Sequence, residues 1–154
     1  MRNQFSIQKI TIQAGWLDMT FLDENKETTL TASYLSDAIS DFTTAIVLLC
    51  EGANERSFIW INEPGETQWT ISSDGKLASI KVAYSLYNKR TMTCDEEVLF
   101  IGQVSLVRLA REVLRALNRL NMEYPDEVYQ SAWHKDYSYP EKAVHRLSVA
   151  IKTL

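Results

Sequence analysis

The chain has 154 residues, of which 45% are hydrophobic and 23% charged, and its net charge is −4. This length fits a single domain over residues 1–154, with a core that needs no disulfides. No apolar run approaches the ~18 residues of a membrane span, and the N-terminus lacks the apolar block of a signal peptide, so we expect a cytoplasmic protein.

Residues 5–35 alternate polar and apolar side chains in short runs, which predicts two or three strands. A helix follows. Ser36-Asp37 is a predicted N-cap, and Gly52 is a natural C-terminal stop. Between them an apolar stripe at helical spacing comprises Ile39, Phe42, Ile46 and Leu49.

Residues 57–86 predict three antiparallel strands joined by two tight turns. Pro64-Gly65 is typical of a type I or II turn, and Asp74-Gly75 of a type I′ hairpin turn. If the third strand, residues 77–86, lies at an edge, two copies of the chain could pair there. Homo-oligomer formation is therefore left open.

Residues 88–97 read as a polar loop, and residues 98–101 as a short strand or the approach to a helix. A long helix is predicted over residues 104–120, and Pro125 and Pro140 each open a shorter one. These elements predict an α+β fold: one antiparallel sheet of about five to seven strands, with helices packed on one face.

Four residues at the first turn of the three-stranded segment are candidates for partner binding: Trp60, Glu63, Glu66 and Trp69. In one interpretation they form a patch of aromatic side chains with an acidic rim. In the other, the tryptophans pack across the strands beneath the helices, and the glutamates only solvate a turn.

Four arginines lie along one face of the predicted long helix. They could form a surface for an anion or an acidic partner, or simply the solvated back of an amphipathic helix. The helix needs a polar side opposite its apolar stripe, which favours the second interpretation. These residues are Arg108, Arg111, Arg115 and Arg119.

The chain lacks the familiar motifs of catalysis, metal binding and nucleotide binding. Cys50 and Cys94 do not form a metal-ligand pattern, and His134 and His145 are too far apart to be a ligand pair on one helix. We therefore expect no catalytic residue, no cofactor and no metal. An enzyme stays an open alternative, because a sequence does not show whether scattered carboxylates converge in the folded chain.

The succession of residues 36–52, FIWINEPGETQW and YQSAWHKDYSYPEKAVHRL resembles a family of small uncharacterised bacterial proteins. Its pattern is an acidic helix start, a "W…EPG…W" strand pair and a Trp-His-Pro tail, and the similarity extends from about Leu17 onward. Proteins of this kind are similar to immunity proteins encoded beside secreted bacterial toxins. The family itself has no established activity, and the resemblance assigns no functional residues. Together with the absence of catalytic motifs, it leads us to expect a non-enzymatic binding protein, of the kind that neutralises a toxin by occlusion.

Charge also bears on the partner. Residues 1–101 contain 8 Lys or Arg and 14 Asp or Glu, whereas residues 102–154 contain 8 and 6. The acidic sheet region suits a basic protein, such as a toxin domain, and argues against nucleic acid. The alternative function is a small-molecule or peptide-binding module in which sheet and helices enclose an aromatic pocket.

Overall fold

A computed structural model describes residues 4–154. The chain order is three strands, a helix, four strands and three helices. The elements are β1 (Ser6–Gln13), β2 (Trp16–Asp23), β3 (Lys26–Ser33), α1 (Ala38–Cys50), β4 (Glu55–Ile61), β5 (Glu66–Ser73), β6 (Leu77–Asn88), β7 (Thr93–Ser105), α2 (Leu106–Glu123), α3 (Glu127–Ala132) and α4 (Glu141–Ile151).

The strands form two antiparallel sheets, β1-β2-β3 and β4-β5-β6-β7. The α+β class is confirmed, but the prediction of a single sheet of five to seven strands is wrong. Consecutive strands pair within each sheet, and helix α1 lies between the two groups of strands in the chain. A side-chain hydrogen bond links the sheets where they approach, from Asn62 Nδ2 to the carbonyl of Thr31 at 2.9 Å.

The first sheet is built by two tight hairpins. Ala14 and Gly15 both have positive φ, as do Glu24 and Asn25, which is the conformation of a type I′ turn. The upper end of the predicted range, three strands, is therefore correct for this segment.

Helix α1 has the ends that the sequence predicts. An oxygen of Asp37 accepts the N–H of Ser40 at 3.4 Å. Gly52 has φ +112°, and the N–H of Ala53 returns to the carbonyl of Leu48 at 2.9 Å. Nine of the 13 residues of α1 are buried, so the helix lies within the core.

Strands β4, β5 and β6 confirm the predicted three-stranded segment, but both turns differ from prediction. The Glu63–Pro64 peptide bond is cis, which a type I or II turn does not contain. In the second turn only Gly75 has positive φ, so the turn is not type I′. The Asp74 carboxylate organises it, accepting the N–H groups of Lys76 and Leu77 at 2.9 and 2.8 Å.

The predicted polar loop over residues 88–97 is wrong. Strand β6 continues to Asn88 and β7 begins at Thr93, which makes a long hairpin. The polar side chains of β7 are compatible with a strand because most of them are exposed. Strand β6 is paired on both sides, with β5 and β7, so the edge position considered for residues 77–86 is also wrong.

The three C-terminal helices begin close to the predicted positions. Ser105 Oγ caps α2 by accepting the N–H of Arg108 at 3.1 Å. The predicted stripe of α2 is buried and meets the inner face of the second sheet, where Leu109, Phe42 and Ile80 line the same small internal cavity. No helix within residues 4–154 is long and apolar enough to cross a membrane.

Candidate functional site

Within residues 4–154, no helix covers the outer face of the four-stranded sheet, whose side chains include the exposed Ile59, Val98 and Ile101. Strand register arranges its side chains in four rows that run across β4, β5, β6 and β7. We call this surface the open face. Its rows are Ile61-Glu66-Ser85-Glu96, Ile59-Gln68-Ala83-Val98, Ser57-Thr70-Lys81-Ile101 and Glu55-Ser72-Ser79-Gln103.

Alternation along the strands separates this face from the core. On β5, Trp69 and Ile71 are buried while their neighbours Gln68 and Thr70 are exposed or half-buried. The inner face packs against α1, where Trp60 Nε1 donates to the carbonyl of Ala38 at 3.1 Å. One face of the sheet thus builds the core and the other meets solvent.

The middle of the open face carries exposed apolar side chains. Ile101 is 72% exposed, Val98 50% and Ile59 39%. A shallow groove of about 440 Å³ lies beside Ile101 and Lys81. Isolated exposed apolar residues are ordinary, but a group aligned on a rigid sheet is typical of an interaction surface.

Carboxylates border this apolar group on one side. Glu66 of β5 and Glu96 of β7 both lie opposite Ser85, one on each side of β6. Lys81 Nζ lies 3.6 Å from Glu96 Oε1, and both side chains are about half exposed. Such a solvent-exposed pair contributes little stability and leaves Glu96 available to a partner.

The structure separates the four predicted partner-binding residues. Trp60 and Trp69 are 0% and 3% exposed on the inner face, with ring centroids 5.1 Å apart. Glu66 lies on the open face, and Glu63 is exposed in the β4–β5 turn. The aromatic patch with an acidic rim is therefore not formed, because the tryptophans pack in the core. Partner binding at Glu63 and Glu66 stays a prediction.

The aromatic cluster around the tryptophans is tightly filled. Phe42 lies 5.2 Å from Trp69 and 6.0 Å from Trp60, measured between ring centroids. The internal cavity beside it measures about 10 Å³, space for one water molecule at most. Within residues 4–154 this cluster encloses no ligand-sized pocket.

Three of the four arginines on α2 have a role that sequence reasoning missed. They donate to backbone carbonyls of the edge strand β1 and the residue before it: Arg108 Nε to Phe5, Arg115 Nη2 to Ile7 and Arg119 Nη1 to Gln8, at 2.9, 3.0 and 3.0 Å. Neither interpretation from the sequence, a surface for an anion or acidic partner or a purely solvated helix face, describes these three arginines. The residues in these hydrogen bonds are more than 100 positions apart, so only the tertiary structure shows the contact.

Titratable groups in the core have their pKa values raised by burial. Burial, with a smaller effect of Glu51, raises the pKa of the Cys50 thiol to about 11. Burial likewise raises the pKa of Tyr139 to about 12, and Glu141 adds to this. Cys94 is exposed on β7. Within the described residues, no group of three or more His, Cys, Asp or Glu side chains is placed to hold a metal ion.

The two histidines lie in different surroundings. The His134 ring stacks on Tyr34 with centroids 5.3 Å apart and packs against Tyr137 at 4.6 Å. His145 lies on α4. The structure thus does not bring them together.

Comparison of this chain with protein-family models, with curated proteins and with solved structures gives no match in any of the three.

Proposed function

We propose that this chain is a non-enzymatic binding protein whose open face contacts another protein. One observation carries the proposal: a four-stranded sheet presents Ile59, Val98 and Ile101 to solvent on a face that no helix of residues 4–154 covers. The sheet is rigid, so the surface is ordered before binding and little conformational entropy is lost on association.

The charge beside the apolar group favours a basic partner. Glu66 and Glu96 lie on the open face, and Glu63 lies in the turn next to Glu66. Opposite charges across an interface accelerate encounter and disfavour acidic competitors. Nucleic acid and a membrane are not proposed as partners, because phosphate groups would face these carboxylates.

Within this class we propose an immunity-type protein that neutralises a basic toxin domain by occlusion. The acidic open face and the resemblance described from the sequence support this more specific assignment. Occlusion requires only a stable contact that covers the toxin's functional surface, so it is compatible with a chain that carries no catalytic motif.

The test is complex formation with the product of the adjacent gene, measured by size-exclusion chromatography with light scattering and by calorimetry. We expect a complex that Ile101→Arg weakens at least about tenfold, since a charge would enter the contact centre. Val149→Arg is the matched control, because Val149 is 49% exposed on α4. Equal loss in both variants would contradict the open face as the contact surface.

Charge reversal provides an independent arm. Glu66→Lys should slow association with a basic partner, and the difference from wild type should shrink as salt concentration rises. Turnover of any substrate by the purified chain would contradict the non-enzymatic assignment.

The alternative, a small-molecule or peptide-binding module, is favoured by one feature of the same surface. The groove of about 440 Å³ beside Thr70, Lys81 and Ile101 is in the size range of ligand sites, although it is shallow. A screen for compounds that raise the melting temperature, and lose their effect when Ile101→Trp fills the groove, would establish this function.

A further inference from the structure

We infer that the partner adds a basic, extended segment to the free edge of β7 over residues 93–98. This inference rests on the proposed function and specifies the mode of contact and the chemistry of the partner. Addition of a strand to an exposed sheet edge is an established route of protein recognition, in which main-chain hydrogen bonds supply affinity.

The register shows which backbone groups of β7 are free. The N–H of Leu106 donates to the carbonyl of Lys76 at 2.8 Å, so the adjacent pair Leu77–Ser105 is a non-hydrogen-bonded pair of the antiparallel ladder. Hydrogen-bonded and non-hydrogen-bonded pairs alternate from there towards the tip of the hairpin.

A β-bulge interrupts this ladder where Val82 pairs with Phe100 and Ala83 with Val98. The extra residue is Leu99. Because the bulge adds its residue opposite a hydrogen-bonded pair, Ala83–Val98 is again a non-hydrogen-bonded pair.

Continuing the alternation, Asp95 and Glu97 direct their N–H and C=O groups towards β6. Cys94, Glu96 and Val98 direct theirs away from the sheet. Within residues 4–154, no hydrogen bond from another element reaches the outward groups of these three residues. Their side chains lie on the open face, continuous with the proposed contact surface.

Parts of two other outer strand edges, those of β1 and β4, receive hydrogen bonds from neighbouring groups. Edge strand β1 donates from the Ile7 N–H to Glu112 Oε1 at 3.0 Å, and its carbonyls accept from arginines of α2. On β4 the N–H of Ile61 donates to Ser36 Oγ at 3.5 Å. Exposed edges are usually protected against association, and within residues 4–154 the segment 93–98 of β7 receives no such protection.

A second copy of the chain is a poor occupant. Antiparallel pairing of two β7 strands about Glu96 would bring six carboxylates together, those of Asp95, Glu96 and Glu97 from each copy. Like charges directly opposite one another destabilise strand pairs. The same three carboxylates would instead favour an incoming strand that carries Lys or Arg.

The bulge sets the length of the contact. At Leu99 the ladder is disrupted and the strand twists more strongly. An added strand would therefore pair with residues 93–98, with its side chains alternating between Glu96 and Val98 on the open face and Asp95 and Glu97 on the inner side.

Hydrogen exchange of backbone amides, followed by NMR, tests this inference without the natural partner. The probe is a synthetic octapeptide of alternating lysine and valine. We expect about tenfold or greater protection of the Cys94, Glu96 and Val98 amides, and no new protection of Asp95 and Glu97, which already pair with β6. Matched peptides alternate glutamate with valine, or lysine with proline.

The three peptides separate the possible outcomes. Protection by the lysine–valine peptide alone supports strand addition by a basic segment. Equal effects of the lysine–proline peptide, which cannot form a regular ladder, would show charge attraction alone and overturn the inference. Absence of protection with all three would also overturn it, while leaving complex formation through the open face to its own test.

Two substitutions at position 96 test edge pairing in the complex with the natural partner. Glu96→Gln removes the charge and keeps the outward N–H, whereas Glu96→Pro removes both and spares the ladder with β6. We expect Glu96→Pro to weaken the complex about tenfold more than Glu96→Gln. Equal affinities of the two variants, with unchanged circular dichroism, would overturn edge pairing even if Ile101→Arg confirms the open face.

Discussion

The backbone N–H of Ile7 donates a hydrogen bond of 3.0 Å to Oε1 of Glu112, although 105 positions separate the two residues. Ile7 is 1% exposed, so this donor has no access to water. The same carboxylate oxygen accepts Arg115 Nη2 at 2.8 Å, and this hydrogen bond raises the pKa of Arg115. Helix α2 therefore closes the edge of β1 with side chains where another strand would otherwise fit.

Removal of this carboxylate should destabilise the protein. Glu112→Ala leaves the Ile7 N–H buried without an acceptor, which costs about 1–3 kcal/mol of unfolding free energy. Urea unfolding followed by circular dichroism measures the loss. Glu123→Ala is the control, because Glu123 is exposed at the end of the same helix; an equal loss there would show a general effect of helix charge.

Truncation of Trp60 should affect folding much more than truncation of an exposed tryptophan. Trp60→Ala removes a fully buried ring together with its hydrogen bond to Ala38, and we expect a loss of about 3–5 kcal/mol. Trp16 is 39% exposed on the first sheet, so Trp16→Ala should cost less than half as much. Comparable losses in urea unfolding would contradict the placement of Trp60 in the core.

The two thiols should differ in reactivity. Cys94 is exposed and should react rapidly with Ellman's reagent in the folded protein. Cys50 is buried with its pKa raised to about 11, so it should react only after unfolding in urea. Cys94→Ser should abolish the rapid phase. Rapid reaction of both thiols with the reagent in the folded state would contradict the burial of Cys50.

Stability should fall at alkaline pH. The pKa of Cys50 is about 11 in the folded protein against 9.0 for an unperturbed thiol, so the unfolded chain loses this proton first. The contribution is fully present below pH 9 and is lost between pH 9 and about 11, at no more than about 1.4 kcal/mol per pH unit.

Tyr139 extends the same trend, because its pKa is about 12 in the folded protein against 10.0 unperturbed. Urea unfolding at a series of pH values gives the slope. Cys50→Ala should flatten the curve between pH 9 and 10 while leaving the later decline. An unchanged slope in this variant would contradict the assignment to Cys50.

The open face should not be needed for folding. Ile101→Thr replaces a side chain that is 72% exposed and should change the unfolding free energy by less than about 0.5 kcal/mol. Val82 lies on the inner face of the same sheet and is 0% exposed. Val82→Thr should therefore cost about 1–3 kcal/mol, since its hydroxyl would be buried without a partner. A large loss for Ile101→Thr would show that this face is covered in the folded protein.

Much of the secondary structure could be predicted from the sequence because its signals are local. The caps of α1, the three strands before it and the strands β4, β5 and β6 follow from turn residues and from two- or 3.6-residue periodicity. The prediction for residues 88–97, a polar loop, was wrong. The acidic run Asp95-Glu96-Glu97 resembles a loop, but a strand whose two faces are both exposed can carry such residues.

The candidate site was predicted only in part, for a related reason. Periodicity placed Trp60 and Trp69 on one face of their hairpin but could not tell whether that face meets the core or solvent. Once α1 packs on the tryptophans, Glu66 lies on the opposite side of the sheet from them. Val98 and Ile101, which form part of the open face, were not identified as candidates, because residues 98–101 were predicted only as a short strand or the approach to a helix.

The sequence by itself determined the α+β class, the order of most elements and the two-sided character of the strands, because each depends on neighbours a few residues away. Only the tertiary structure decided that the strands divide into two sheets, that α2 closes the edge of β1 and that residues 93–98 of β7 keep a bare edge. Those features depend on contacts between residues far apart in the sequence, such as the hydrogen bond between Ile7 and Glu112. Local sequence patterns carry no information about such contacts.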